Sequence, residues 1–398
     1  LYEFGQLPIL YEGRTKPVDT LARNSLRIIS GKQEFTDQDG EKQPAIKWFL
    51  DTIAKPQDAF EYQVIRIENP DLLTTLKLSK RAGFRYSFDD FIEQMPELMK
   101  QSDLARKAGK GKATLYQSRV LDLEKKIGTV DLLISSFKPP EIRAESARDD
   151  LIEAIRRHGM LERRNPPRAI PPGGEGENDD QWQTYSYAWT RDLVKASFAK
   201  DKENEATQAW TKMLVAYASD DVSEFNKEVR NYQIWLNKHK ADLPHTSLSK
   251  VDFEAFFNHF EPFFYCSVLY IFAFVMVCFS FLFWPRPLGN AAFWLICLTF
   301  FVHTLALIGR IYISGRPPVT NLYSSAVFIG WGAVLAGIVI EKINRLGIGS
   351  LLASVAGFST LLIAHMLAGD GDTFAVLQAV LDTQFWLATH VVCITLGY

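Results

Sequence analysis

The stretch Phe263–Trp284, FFYCSVLYIFAFVMVCFSFLFW, runs for 22 residues without a charge. A helix needs about 20 predominantly apolar residues to cross the hydrocarbon core of a bilayer, so this run reads as a membrane span. Three further spans are expected downstream, at Ala291–Ile313, Asn321–Ile340 and Leu351–Leu367, and a fifth opens at Phe385. Upstream of Phe263 the composition changes, and residues 1–255 are rich in Lys, Arg, Asp and Glu. The expected fold is mainly α: a polar, mostly helical domain over 1–255, followed by a polytopic transmembrane helix bundle over 256–398. A net charge of -2 and 47% hydrophobic residues look like a water-soluble protein only because two unlike halves are averaged.

Inside the polar half, GQLPILYEGRTKPVDTLARNSL (Gly5–Leu26) reads as an extended arm leading into a helix. Pro17 cannot sit in a helix interior, and Asp19 or Thr20 is the expected N-cap. Helices are expected over Ala45–Ile53, Arg143–Leu161, Asp192–Ala218 and Val222–Lys240, with another starting from Ser87 and a short strand over Tyr62–Ile67. Thr114–Phe137 carries Leu115, Val120, Leu123, Ile127, Val130, Leu133 and Ile134 at helical spacing. RRNPPRAIPPGGEGENDD (Arg163–Asp180) is dense in Pro and Gly and reads as a surface loop or linker. Val251–Phe264 is aromatic and amphipathic, a segment suited to the membrane interface ahead of the first span.

Several classes are excluded or unsupported. No basic stripe interleaved with aromatics appears, so nucleic acid is not an expected partner. The four cysteines (Cys266, Cys278, Cys297 and Cys393) all fall in apolar runs, leaving the polar half without a disulfide or thiolate metal site. No C-x-x-C-H, G-x-S-x-G, phosphate loop or H-E-x-x-H occurs, and no catalytic residue can be assigned. The sequence opens on Leu1 rather than Met, and its last apolar run, Phe385–Tyr398, is short for a span. The expectation is that a native chain continues past Tyr398.

Loop charges bear on orientation. Arg286, and Lys342 and Arg345 beside Glu341, fall in alternate loops to Arg310, Arg316, Asp370, Asp372 and Asp382. The positive-inside count is nearly balanced, and the acidic loop tilts its side, with the polar domain, to the outside.

Seven histidines are present. His158, His239 and His245 read as surface or hydrogen-bonded residues, and His259 sits among phenylalanines at the interface. His303, His365 and His390 lie in apolar helices, where an imidazole without a partner is costly, so such residues are functional candidates by default. His303 and Arg310 are two helical turns apart on one face, roughly 10 Å along the axis. A flat iron macrocycle with two carboxylate arms has comparable dimensions, His303 meeting the iron and Arg310 a propionate. The alternatives are a histidine hydrogen-bonded between helices and an arginine that snorkels at a helix end.

GRPPVTNLYSSAVFIGW (Gly315–Trp331) is more specific. Pro317-Pro318 forces an extended loop, and Thr320 or Asn321 can cap the next helix. Here the chain resembles the CcsA/ResC family of cytochrome c assembly proteins, the membrane half of the system II cytochrome c synthase. That family shows a His in one span, an Arg, a glycine-proline loop and N-L-Y-E-S opening the next span; this sequence has N-L-Y-S-S, with Ser324 where the acidic residue is usual. QFWLATHV (Gln384–Val391) looks like the family's L-Q-S-x-W-L-x-x-H-V. The two matching stretches cover Val302–Trp331 and Gln378–Tyr398, and GRTKPVDTLAR resembles extracytoplasmic regions attached to some members.

The resemblance implies handling and export of haem b and its covalent attachment to the C-x-x-C-H peptide of apocytochrome c, as part of a haem lyase. It implies a place in the cytoplasmic (inner) membrane, with the polar domain in the periplasm or an equivalent space, and a CcsB/ResB-type membrane subunit as partner. His390 falls on the family's external axial haem ligand. His303 and His365 become candidates for intramembrane haem contact, with Arg310 and Arg316 as propionate partners. A tryptophan-rich external segment and a second pair of histidines would follow the fifth span. Rival readings are a membrane scaffold or transporter half with an external docking domain, and a haem b electron-transfer subunit with His303 and His365 paired on facing helices.

Overall fold

Phe4, Trp48, Phe49, Phe137, Trp210 and Tyr232 are all fully buried and give the polar half a single interior. The computed structural model describes residues 1–108, 113–172, 181–198, 204–243 and 246–374, with Thr389 and Cys393. His245, His390 and the fifth span expected from Phe385 lie outside the described residues. The chain is mainly helical and divides into two compact units, Leu1–Asp252 and Phe253–Tyr398.

The first unit opens with α1 (Tyr2–Gly5), a hairpin of β1 (Pro8–Tyr11) and β2 (Arg14–Pro17), and α2 (Val18–Ser30). Two more two-stranded ribbons, β3 (Glu34–Thr36) with β4 (Lys42–Pro44) and β5 (Ile65–Arg66) with β6 (Arg85–Tyr86), lie among α3 (Ala45–Ala54), α4 (Pro56–Glu61) and α5 (Pro70–Thr75). Then come α6 (Met95–Ala108), α7 (Leu115–Phe137), α8 (Ala147–Glu162), α9 (Tyr185–Phe198), α10 (Glu205–Ala218) and α11 (Val222–Lys238). Helix α7 follows its apolar periodicity, and Thr114 starts it with a capping box: its hydroxyl accepts from Gln117 N–H, and the Gln117 side chain accepts from Thr114 N–H.

Several expectations are corrected. The opening segment is not an arm. Glu12 and Gly13 have φ of 54° and 78°, the two-residue turn that fits the twist of a hairpin. Helix α2 begins at Val18 with Pro17 as N-cap; proline has no side-chain acceptor to offer, and Val18 N–H donates instead to the Leu7 carbonyl at 2.9 Å. The helix expected from Ser87 starts only at Met95; Ser87 and Asp90 instead close a local turn through reciprocal bonds of 2.8 and 3.2 Å. Only Ile65–Arg66 of the expected strand pairs. The single helix expected over Asp192–Ala218 is two, and α10 is restarted by Asn204, whose side chain accepts from Ala206 and Thr207 N–H. The supposed linker is interior in its first part: Arg168 exchanges both backbone bonds with Leu10, and Pro166, Pro167, Ala169, Ile170, Pro171 and Pro172 are buried. Proline needs no hydrogen-bond partner for its nitrogen, so such a segment can pass through an interior at low cost.

The second unit holds the end of α12 (Leu248–Phe260), then α13 (Pro262–Leu282), α14 (Pro285–Ser314), α15 (Leu322–Asn344) and α16 (Ile348–Leu367). The α12–α13 run, α14, α15 and α16 are each long and apolar enough to cross a membrane. The aromatic segment does not flow smoothly into the first span: Glu261 sits at φ 45° and Pro262 opens α13. Helix α14 starts six residues ahead of the expected Ala291, since Pro285 is tolerated in a first turn where no N–H partner exists. Short links, Phe283–Trp284 and Arg345–Gly347, make neighbouring helices antiparallel.

Small residues set the closest approach. A Cβ on Gly337 would lie 2.7 Å from Ala353 Cβ and 2.8 Å from the Gly349 carbonyl oxygen. Gly349 faces back onto Gly337 and Glu341, and Gly357 lies against the Tyr270 ring. With Ala353 these form a small-residue stripe at four-residue intervals on α16, the pattern that lets membrane helices touch along their backbones. The Glu341 carboxylate closes the α15–α16 turn by accepting from Gly347 N–H at 2.9 Å and Ser350 N–H at 3.2 Å.

Candidate functional site

Helix α14 carries His303 and Arg310 on one face, and both are buried, at 0% and 7% exposure. They sit toward the end of the bundle where α13 and α15 begin and α14 and α16 finish. Neighbouring helices shape the site. Phe263 of α13 presents its ring edge-on to His303 at 5.8 Å, and also reaches Tyr323 of α15 at 6.5 Å. Tyr270, two turns further along α13 and fully buried, brings its hydroxyl to 3.3 Å from His303 Nδ1. Nε2 on the far side of the imidazole finds no hydrogen-bond partner among the described residues. One turn along, Trp331 Nε1–H donates to Thr304 at 2.9 Å and stacks between Phe300 and Phe328, tying α14 to α15.

Arg310 is held differently. Its guanidinium donates to the Thr373 carbonyl at 2.8 Å and to the Thr373 hydroxyl at 3.2 Å. It lies over the Tyr323 ring at 4.6 Å and the Phe374 ring at 4.1 Å. Asn321 donates to the same Thr373 carbonyl at 2.9 Å. The Asn321 side chain also accepts from Ser324 N–H, and the Ser324 hydroxyl accepts from Thr320 and Asn321 N–H. Ser324 therefore completes the capping box of α15 at the position where the resembled family carries a carboxylate. Among the described residues the arrangement offers one imidazole nitrogen without a hydrogen-bond partner and, two turns away, a buried cation flanked by rings.

The remaining candidates stand apart. Arg316 is exposed in the loop after α14. His365 is exposed on α16, and among the described residues no hydrogen bond or ring contact joins it to His303. In the first unit His158 stacks on Tyr187 with centroids 3.8 Å apart; burial lowers its pKa, with Glu162 opposing and Arg168 adding. His239 Nδ1 lies 2.9 Å from the Trp235 carbonyl. Both read as structural. Among the described residues no group of three or more His, Cys, Asp or Glu is placed to hold a metal ion. Sequence reasoning missed Tyr270 and Thr373. A tyrosine in an apolar run and a threonine in a loop carry no signal until folding sets them beside residues 33 and 63 positions away.

No family model matches the chain. Over 99% of its length it is 23% identical to the protein NrfI of Wolinella succinogenes, covering 40% of that protein. It is 27% identical over 131 residues, 33% of this chain and 47% of the relative, to the protein HemX of Bacillus subtilis. It is 28% identical over 135 residues, 32% of this chain and 41% of the relative, to the cytochrome c biogenesis protein CcsA of Prochlorococcus marinus. The chain thus spans less than half the length of the curated relatives it matches. Of these three relatives, the Prochlorococcus protein is the one whose name refers to cytochrome c biogenesis.

Proposed function

We propose that this membrane protein acts in cytochrome c maturation, holding haem within and at the outer face of the cytoplasmic membrane for attachment to apocytochrome c. The observation that carries the reading is His303: a fully buried imidazole in a lipid-facing bundle whose Nε2 has no hydrogen-bond partner among the described residues. A buried polar atom left unpaired is costly and calls for an explanation, and a nitrogen reserved for a metal centre is one. The donor chemistry fits haem, since a neutral imidazole is its commonest protein ligand. Haem, as substrate, supplies an iron to coordinate and two vinyl groups that take up the cysteine S–H bonds of a C-x-x-C-H peptide to form thioethers.

The chain's own residues have separate tasks. His303 offers one axial nitrogen inside the bundle. Arg310 is placed for a propionate: a carboxylate matches the guanidinium fork with two parallel bonds and an opposite charge, which the neutral Thr373 oxygen now bound there cannot supply. Exposed Arg316 is the candidate for the second propionate. His390 remains the proposed external axial ligand on the family resemblance alone. His365 is kept as a candidate only at the rim, because its exposure gives no support to a His303–His365 pair of the electron-transfer kind.

The proposed orientation places the Arg310 end outside. The opposite end carries Arg286, Lys342 and Arg345 against Glu341; the basic count of the two ends is nearly balanced, and the acidic loop with Asp370 and Asp372 tips the Arg310 end to the outside. The polar unit, joined to the start of α13, then lies in the periplasm or an equivalent space. A CcsB/ResB-type subunit is the proposed membrane partner.

The test is the haem content of purified full-length protein from haem-replete cells, wild type against His303→Ala. The expected result is a Soret band in the wild type and a clear loss of haem in the variant. Equal haem content would remove His303 from the site, and a wild type without a Soret band would sink the haem reading altogether.

A further inference from the structure

We infer that Tyr270 is a positioning residue for His303: its hydroxyl exchanges roles with Nδ1, so that Nε2 is protonated when the site is empty and bare when it coordinates iron. The inference rests on the haem reading of His303 given above.

The geometry leaves few choices. Tyr270 and His303 are both at 0% exposure, and the hydroxyl stands 3.3 Å from Nδ1. The tyrosine ring is fixed from behind: a Cβ on Gly357 of α16 would lie 2.8 Å from its Cδ2, and that side chain position is also close to Val334 of α15. The hydroxyl is therefore aimed by three helices. A buried phenol must donate its proton, and in the empty site Nδ1 is the acceptor within reach. A neutral imidazole carries one ring proton, so it then sits on Nε2. In that state His303 is a closed ligand.

Coordination needs the other tautomer. Nε2 gives up its proton as the iron–nitrogen bond forms, Nδ1 gains one, and the ring stays neutral with one proton overall. The new Nδ1–H donates to the Tyr270 oxygen, whose own proton rotates off the Nδ1 direction. A phenol can serve both states because it donates and accepts; a phenyl ring can serve neither. Partners of this kind, hydrogen-bonded to the second nitrogen of a ligating histidine, fix its tautomer and raise its basicity.

The test titrates haem into apo full-length protein in detergent for wild type, Tyr270→Phe and His303→Ala, and measures the midpoint potential of the loaded protein. Expected for Tyr270→Phe are roughly 10–100-fold weaker haem binding and a shift of the potential to more positive values, from the less basic imidazole. Wild-type affinity and potential in Tyr270→Phe, with haem lost in His303→Ala, would overturn the positioning role and leave the haem site standing. Unchanged binding in His303→Ala would instead overturn the haem reading beneath it. A second measurement needs no variant: nitrogen-15 histidine spectra of apo and haem-loaded wild type should show the His303 proton on Nε2 in the first and on Nδ1 in the second. The same tautomer in both would overturn the inference.

Discussion

The first unit is filled with rings. Trp210 packs against Phe4 at 5.6 Å, Phe137 at 5.6 Å and Tyr232 at 6.4 Å, all at its centre. In the second unit the closest contacts belong to residues with almost no side chain, Gly337, Gly349, Ala353 and Gly357, while Phe272, Trp294, Leu298 and Phe301 point outward. The solvent explains the inversion. Water drives large apolar side chains inward. Lipid tails are as apolar as leucine and give no such drive, so helices gain most by letting their backbones approach.

That contrast can be broken most decisively at Trp210. Trp210→Ala is expected to destabilise the first unit by about 3–5 kcal/mol, whereas Phe272→Ala, on the outward face of α13, should change bundle stability by no more than about 0.5 kcal/mol. Denaturant unfolding of the detergent-solubilised protein, followed by near-ultraviolet circular dichroism, measures both. Similar losses in the two variants would end the distinction between the units.

A smaller effect sharpens it from the other side. Gly349→Ala adds one methyl group, but its Cβ would sit 2.5 Å from the Gly337 carbonyl oxygen, and backbone cannot swing aside as a side chain can. The expected cost is about 1–3 kcal/mol, with α15 and α16 forced apart. A cysteine cross-link placed between the two helices would report the separation as a slower rate of disulfide formation. An unchanged rate and an unchanged unfolding curve would show that the stripe of small residues is not what holds the pair.

The smallest effect concerns charge, which the first unit uses and the bundle largely avoids. Partial burial raises the Asp90 pKa, but the two bonds from Arg81, at 2.6 and 2.7 Å, and those with Ser87 outweigh it and hold the carboxyl below its usual range. A carboxylate whose pKa is lower folded than unfolded adds stability above about pH 4, and that stability is lost as pH falls through the folded value. The melting temperature of the first unit should therefore decline on acidification below about pH 4. Arg81→Met should flatten that decline, and a slope equal to that of the wild type would remove the pair from the account.

Legibility differed for physical reasons. Helix α7 could be read because its apolar period and its Thr114–Gln117 capping box are local in sequence. Asn321 could be read as a cap for the same reason. The first hairpin was hidden because Glu12-Gly13 is a weaker turn signal than Asn-Gly, and Pro17 suggested an open arm. The buried course of Pro166–Pro172 was hidden because proline-rich segments usually lie at the surface, and only pairing with Leu10 draws this one inside. At the site, His303 and Arg310 were marked by being polar residues in an apolar helix, but not what each would meet.

By itself the sequence determined that the chain is a polar helical unit followed by membrane-spanning helices, because a long uncharged run has one low-energy environment whatever surrounds it. It also determined which polar side chains would be expensive there. Tertiary structure alone decided that Tyr270 faces one nitrogen of His303 while the other finds no partner among the described residues, that Thr373 occupies Arg310, and that His365 stays apart. Those outcomes depend on how the helices rotate and how closely glycines let them approach, which no single segment encodes.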